Sequence, residues 1–142
     1  MAERKRVLVE FKRAGRITVA TVRSSSVLSA LNVAEFGNQM LRHVKGKRGI
    51  NLLLSLENVD YLSSAVLTEL LRINKAVQEL EGRFRICAVA PNIREIFQIT
   101  NLDKLFVLNE DDAKANIKRF ERSLDIAAQD AAWHEPAAEA DE

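Results

Sequence analysis

A chain of 142 residues, 47% hydrophobic and 29% charged, has the size of one domain around one core, with no room for a second independent domain. No apolar run approaches the ~18 residues that a membrane span requires, and residues 1–6 lead into a strand-like segment instead of an apolar signal region, so a cytoplasmic protein without membrane insertion is expected. The formal charge of +1 is unevenly spread, with Arg4, Lys5, Arg6, Lys12, Arg13, Arg16, Lys45, Lys47 and Arg48 in the first third and acids at the end; the basic residues sit at strand ends and turns without interleaved aromatic side chains or a basic amphipathic helix, which argues against direct nucleic-acid binding or a membrane-surface role.

In chain order, residues 7–11 and 17–22 are rich in β-branched and apolar side chains and flank a turn, residues 12–16, that contains Gly15, so a hairpin is predicted. Asn32 stands as N-cap to a helix carried by Val33, Phe36, Met40, Leu41 and Val44, up to a break at Gly46. Residues 50–56 form a nearly continuous apolar run, the pattern of a central strand covered on both faces. From Ser64 to about Leu80, Val66, Leu67, Leu70, Leu71, Ile73, Val77 and Leu80 recur with a helical period that Glu81 and Gly82 end.

Residues 84–89 read as another strand, and Pro91 opens a short helix through Ile99, since proline is tolerated in a first helical turn. A last strand is predicted over residues 105–108. Asp111 and Asp112 then begin a helix with Ala113, Ala115, Ile117, Phe120 and Leu124 on its apolar side and acids at its positive end. The domain is expected to span residues 1–124. Residues 125–142 hold alanine, acid and Pro136 without a lysine or arginine, which suggests a frayed or disordered tail, and Trp133 within it reads either as a docking anchor or as an incidental exposed aromatic. The order of elements implies an α/β sandwich: a mixed sheet, N-terminal hairpin then parallel strands, covered by about four helices.

Chemistry-bearing patterns are sparse. Cys87, the single cysteine, lies in an apolar run and reads as a small buried hydrophobe, while His43 and His134 are far apart with no cysteine or carboxylate at ligand spacing, so no metal site is assigned. No glycine-rich phosphate loop, Ser-His or Cys-His arrangement or Gly-x-Ser-x-Gly elbow occurs, and no catalytic residue or cofactor is expected. The protein is expected to be a binding partner and a modification substrate, not an enzyme.

The informative stretch is Asn58-Val59-Asp60-Tyr61-Leu62-Ser63-Ser64-Ala65-Val66-Leu67, which joins the central strand to the long helix. It resembles the STAS domain, in particular anti-sigma factor antagonists, whose pattern here is an apolar pair, then Asp-Ser-Ser/Thr-Gly-Leu-Gly, then an apolar helix. Anchoring on Asn58, Val59 and Leu67 places the family's phosphorylatable serine at Ser64, with Ser63 as the second candidate. Ser63 stands where the family has aspartate, and Ala65 and Val66 fall on the second hydroxyl residue and the glycine. The likeness continues through residues 82–91 and 96–102 and covers roughly residues 5–120.

The resemblance implies partner switching. The unphosphorylated protein would bind an anti-sigma factor with serine kinase activity through Asp60, Tyr61, Leu62, Ser63, Ser64, Ala65, Val66 and Leu67, and phosphate on Ser64 would end that binding until a phosphatase removed it. It also brings the hydroxyl-rich run from Ser24 to Ser29 and Asn32 near the serine. The alternative within the same resemblance is a STAS scaffold that is never phosphorylated, a subunit of a signalling or lipid-transport complex, suggested by the missing aspartate and glycine. Elementary chemistry alone accounts for Ser63 and Ser64 as helix caps, and Asp60 reads as a solvent-facing carboxylate too far from the serine to replace the absent one.

Overall fold

The computed structural model describes residues 8–29 and 32–140, without the side chains of residues 26, 27 and 131–140. Arg4, Lys5, Arg6 and Val7 lie outside the described residues. Strands β1 (Val9–Ala14) and β2 (Ile17–Val22) pair antiparallel with Ala14 opposite Ile17, so the hairpin closes over Gly15 and Arg16 alone. Lys12 and Arg13, expected in the turn, belong to the strand. The tight closure needs a left-handed residue, and Gly15 supplies it with a φ of 62°.

Strand β3 (Asn51–Ser55) runs parallel to β2 and to β4 (Arg83–Cys87), and the short β5 (Val107–Leu108) runs parallel to β4. The sheet order β1-β2-β3-β4-β5 puts β3 in the middle. That position explains its apolar run: alternate residues point to opposite faces, and Leu52, Leu53 and Leu54 are all fully buried. The hairpin-then-parallel sheet is the α/β sandwich that the sequence implies.

Helices α1 (Val33–Val44), α2 (Ser64–Glu79) and α3 (Pro91–Ile99) bury Val33, Phe36 and Met40, then Val66, Leu70, Ile73 and Val77, then Ile93 and Phe97 in one core with Ala20, Val22, Leu52, Leu54 and Ile86. Asn32 takes the N-cap position of α1 but makes no side-chain cap bond; its Nδ2 donates to Ser29 Oγ at 3.4 Å. Where α1 meets α2, the Glu69 carboxylate lies over Gly37 in the space that a Cβ there would take.

Helix α4 (Ala113–Ala140) covers the other face, where Phe120 packs with Ile17, Val19, Leu53 and Cys87. Asp112 caps it, accepting from the Ala115 amide at 2.9 Å. From Asp125 onward, where composition suggests a frayed or disordered tail, the backbone stays helical, and Asp125 itself accepts from Arg16 Nη2 at 2.7 Å. Alanine, the residue of highest helix propensity, is frequent here and favours the helical backbone. The side chains of Trp133 and His134 lie outside the described residues.

Candidate functional site at the carboxyl end of the central strand

The loops after β2, β3 and β4 meet at the carboxyl ends of the parallel strands, where open α/β sheets present their binding crevices. After β3 the chain descends through residues 56–63 before α2 begins. Leu56, Val59 and Leu62 are 1%, 4% and 2% exposed, so every third residue is anchored in the core and those between are pushed outward. Tyr61, 64% exposed, is the largest of the displaced side chains.

Asp60 is the knot of this region. Ser25 Oγ donates to Asp60 Oδ1 at 2.8 Å and accepts from the Asp60 amide at 3.0 Å, while Asn92 Nδ2 donates to the Asp60 carbonyl at 2.7 Å. Asn58 Nδ2 donates to the Val22 carbonyl at 3.1 Å. The segment before the serines is thereby tied to the β2–α1 loop and to the first turn of α3. These tethers commit Asp60 Oδ1 and the Asp60 backbone to holding the loop.

The paired serines have separate roles. Ser63 is the N-cap of α2 and its Oγ accepts from the Val66 amide at 3.4 Å. Ser64 is the first helical residue and is exposed; its carbonyl accepts from Thr68 Oγ1 at 3.2 Å, and none of the described hydrogen bonds uses its hydroxyl. Amides of a first helical turn have no intrahelical acceptor, and α2 carries no acidic residue there to offset its dipole. The Ser64 Oγ is thus presented to solvent beside positive helix-end potential.

Of the eight residues expected at a partner surface, the structure turns three inward. Leu62, Val66 and Leu67 are 2%, 1% and 8% exposed, because helical phase and the descent from β3 direct them to the core. Asp60, Tyr61, Ser64 and Ala65 face outward and Ser63 is half-buried. With Ser25, Leu28 and Ser29 they line a groove of about 570 Å³. The β2–α1 loop does lie against the serine, as the hydroxyl-rich run suggested. Ser25 and Asn92 were not singled out individually, and no local pattern in the sequence marks them.

A second groove, about 430 Å³, lies at the far ends of α1 and α2, lined by Leu41, Val44, Ala76 and Leu80 among others; its floor is apolar and it carries no hydroxyl group for modification. Burial lifts the Cys87 thiol to about 11, well into its protonated range at neutral pH. Among the described residues no group of three or more His, Cys, Asp or Glu side chains could hold a metal ion, and no helix is long and apolar enough to cross a membrane.

Comparison with known proteins places the fold in a family. A Bordetella bronchiseptica protein that carries the name anti-sigma factor antagonist BtrV is 31% identical over 91 residues, 63% of this chain and 77% of that protein. Among solved structures, an anti-sigma-factor antagonist (STAS) domain protein from Planctomyces limnophilus superposes with a TM-score of 0.68 at 21% identity, over 78% of this chain and 96% of that one. The Bacillus cell fate determinant SpoIIAA in its phosphorylated form gives 0.61 at 14% identity, over 78% of this chain and 97% of that one, a likeness of fold. The STAS domain model matches residues 9–129, which takes in all five strands and the site between them, and the chain belongs to the STAS domain family.

Proposed function

We propose that this chain is an anti-sigma factor antagonist that works by partner switching, with Ser64 as the phosphorylated residue. The observation that carries the reading is the exposed Ser64 hydroxyl, outside every described hydrogen bond, on the first turn of a helix rooted in the core. In its unmodified form the surface of Asp60, Tyr61, Ser64 and Ala65 binds an anti-sigma factor that is also a serine kinase, and the bound anti-sigma factor releases its sigma factor. The relation to BtrV and the fold shared with SpoIIAA support this reading.

Phosphate on Ser64 adds about 1.5 to 2 negative charges. The helix end tolerates that charge, so the domain need not refold. A partner that has to desolvate the same surface meets a strongly hydrated anion beside exposed Asp60, and binding is lost. The chain acts as substrate and ligand, and catalysis belongs to the kinase and to the phosphatase that resets the site.

A second reading is favoured by one observation: Ser63, where the family pattern has its aspartate, spends its hydroxyl on the cap and offers Ser64 no charged group to orient it for a kinase. On that reading the chain is an unmodified STAS scaffold in a signalling or lipid-transport complex. Site-mapped mass spectrometry of the protein from its native cells, with and without stress, separates the two. Phosphate at Ser64 that changes with growth state supports the switch, and Ser64→Glu then weakens capture of the kinase at least ~10-fold while Ser64→Ala does not. Phosphate absent in both states, with complexes indifferent to both substitutions, overturns it in favour of the scaffold.

A further inference from the structure

Helix α4 turns a cationic stripe to solvent. Asn116 and Phe120 point inward, whereas Lys114, Lys118 and Arg122, spaced by four residues, share the outer side of the helix and are exposed. With Asp112, Ala115 and Arg119 they line a shallow groove of about 370 Å³. Arg119 is already engaged, donating through Nη1 to Asn109 Oδ1 at 2.8 Å and meeting Asp111 Oδ2 at 2.5 Å, and Asp112 caps the helix. The neighbouring acids are engaged as well: Arg16 holds Glu121 and Asp125, and Glu110 lies 3.5 Å from Arg94. Lys114, Lys118 and Arg122 have no carboxylate in ion-pair contact among the described residues.

This arrangement opposes the helix that carries it. Like charges four residues apart repel, and Lys114, the second residue of α4, adds a cation to the positive end of the helix dipole. Elsewhere on the surface Arg16, Arg42, Arg72 and Arg94 each meet a carboxylate. A local conflict that contributes nothing to packing is expected where function needs the charge. The stripe is also short. Asp111 and Asp112 precede it and Asp125 and Asp130 follow it, so the unmatched cations occupy about 12 Å of helix between acids.

We infer that this stripe docks a short acidic segment of a partner protein, one whose carboxylates recur at about one helical turn. Charge complementarity sets the sign of the partner, and the length of the stripe sets its class. A nucleic-acid duplex or an anionic membrane carries its charge past the stripe and onto the acids at either end, and no aromatic side chain lines the groove to stack on a base. A segment with three carboxylates four residues apart meets Lys114, Lys118 and Arg122 in turn and stops where the acids begin. The docked segment leaves Ser64 open, because α2 lies on the opposite face of the sheet. The inference stands without phosphorylation of Ser64; with it, the chain holds one partner on α4 while the serine surface exchanges another.

The test titrates the isotope-labelled full-length protein with an alanine-rich helical peptide that carries glutamate at every fourth position, followed by amide chemical shifts. Saturable shifts are expected in residues 113–123 and not in residues 60–66, and they should vanish at about 1 M salt, where the screening length falls to about 3 Å. The same peptide with glutamine in place of glutamate should produce none. Lys118→Glu with Arg122→Glu, both exposed, is expected to weaken binding at least ~10-fold with an unchanged circular-dichroism spectrum. Lys118→Gln is the second measurement. Glutamine matches lysine in helix propensity and removes two repelling pairs, so the melting temperature should rise by about 1–3 °C while affinity for the peptide falls. The inference is overturned by the absence of saturable shifts, by shifts centred away from residues 113–123, by tighter binding of duplex DNA or phosphatidylserine vesicles than of the peptide, or by a Lys118→Gln protein that melts no higher than the wild type.

Discussion

The two faces of the sheet are built by different means. On one, α1, α2 and α3 press continuous apolar stripes into a core that runs from Leu8 to Phe106. On the other, α4 alone rests on Ile17, Val19, Leu53 and Cys87 through Phe120, and polar fastenings do much of the remaining work. Asn116, 4% exposed, reaches the carbonyls of Asp111 and Asp112 at 3.0 and 2.9 Å. At the other end Arg16 grips Glu121 and Asp125, an exposed arrangement that solvent screens. The difference separates two tasks. Ser64 stands on a helix fixed by the large core, a rigid platform for an exposed hydroxyl. Helix α4 is held by little apolar area and is the element expected to open first.

The largest expected effects test that separation directly. Leu70→Ala, at a fully buried position of α2, is expected to cost about 2–5 kcal/mol, a large share of the ~5–15 kcal/mol that holds a domain. All probes should then lose structure together. Phe120→Ala empties the small core and is expected to cost about 3–5 kcal/mol by the same reasoning, but its effect should be local first. Hydrogen exchange distinguishes them: in Phe120→Ala the amides of residues 113–124 exchange faster while those of α2 keep their protection. Equal loss on both faces would mean that the sheet couples them into one cooperative unit.

A smaller effect is expected from the polar fastening. Asn116→Ala removes the side-chain bonds to the carbonyls of Asp111 and Asp112, which keep the backbone amides of Ala88 and Asn116, so the cost is that of lost hydrogen bonds, about 0.5–1.5 kcal/mol each. Urea unfolding followed by tryptophan-independent circular dichroism measures it. If the loss matches that of an exposed surface substitution, the start of α4 is held by the Asp112 cap and not by Asn116.

The elements were legible wherever burial has a local period. The stripes of α1, α2 and α3 and the doubly covered β3 follow from residue spacing, and the resemblance at residues 58–67 pointed to Ser64 as the candidate. Within that motif the division between inside and outside also follows from helical phase once α2 is known to start at Ser64: Val66 and Leu67 must then join Leu70 and Ile73. Other features had no local signal. Ser25 and Asp60 are 35 residues apart and Asp60 and Asn92 are 32 apart, and such pairings arise only when three loops converge. Strand β4 stops at Cys87, short of the apolar run, because Ala88 adopts a φ of 56° and turns the chain toward Asp111. Beyond Asp125 the helical backbone to Ala140 rests on alanine, the residue of highest helix propensity, and not on a periodic apolar stripe.

The smallest expected effect is one of pH, and it sharpens the comparison from the large-core side. His43 is half-buried at the rim of α1 and stacks on Phe11 with ring centroids 3.7 Å apart and planes 5° from parallel. Burial, and after it the charge of Lys47, lowers its pKa below the ordinary 6.5. A base whose folded pKa is depressed takes up its proton first in the unfolded chain, so the unfolded state binds more protons as pH falls below 6.5. The stability that neutral His43 contributes is therefore complete above that value and is lost progressively below it, until the folded state is protonated as well. His43→Phe keeps a ring against Phe11 and removes the titration. Thermal unfolding of both proteins from neutral to mildly acid pH should show the wild type falling away from the variant below 6.5, whereas parallel curves would mean that the stacked imidazole accepts its proton at no expense to the fold.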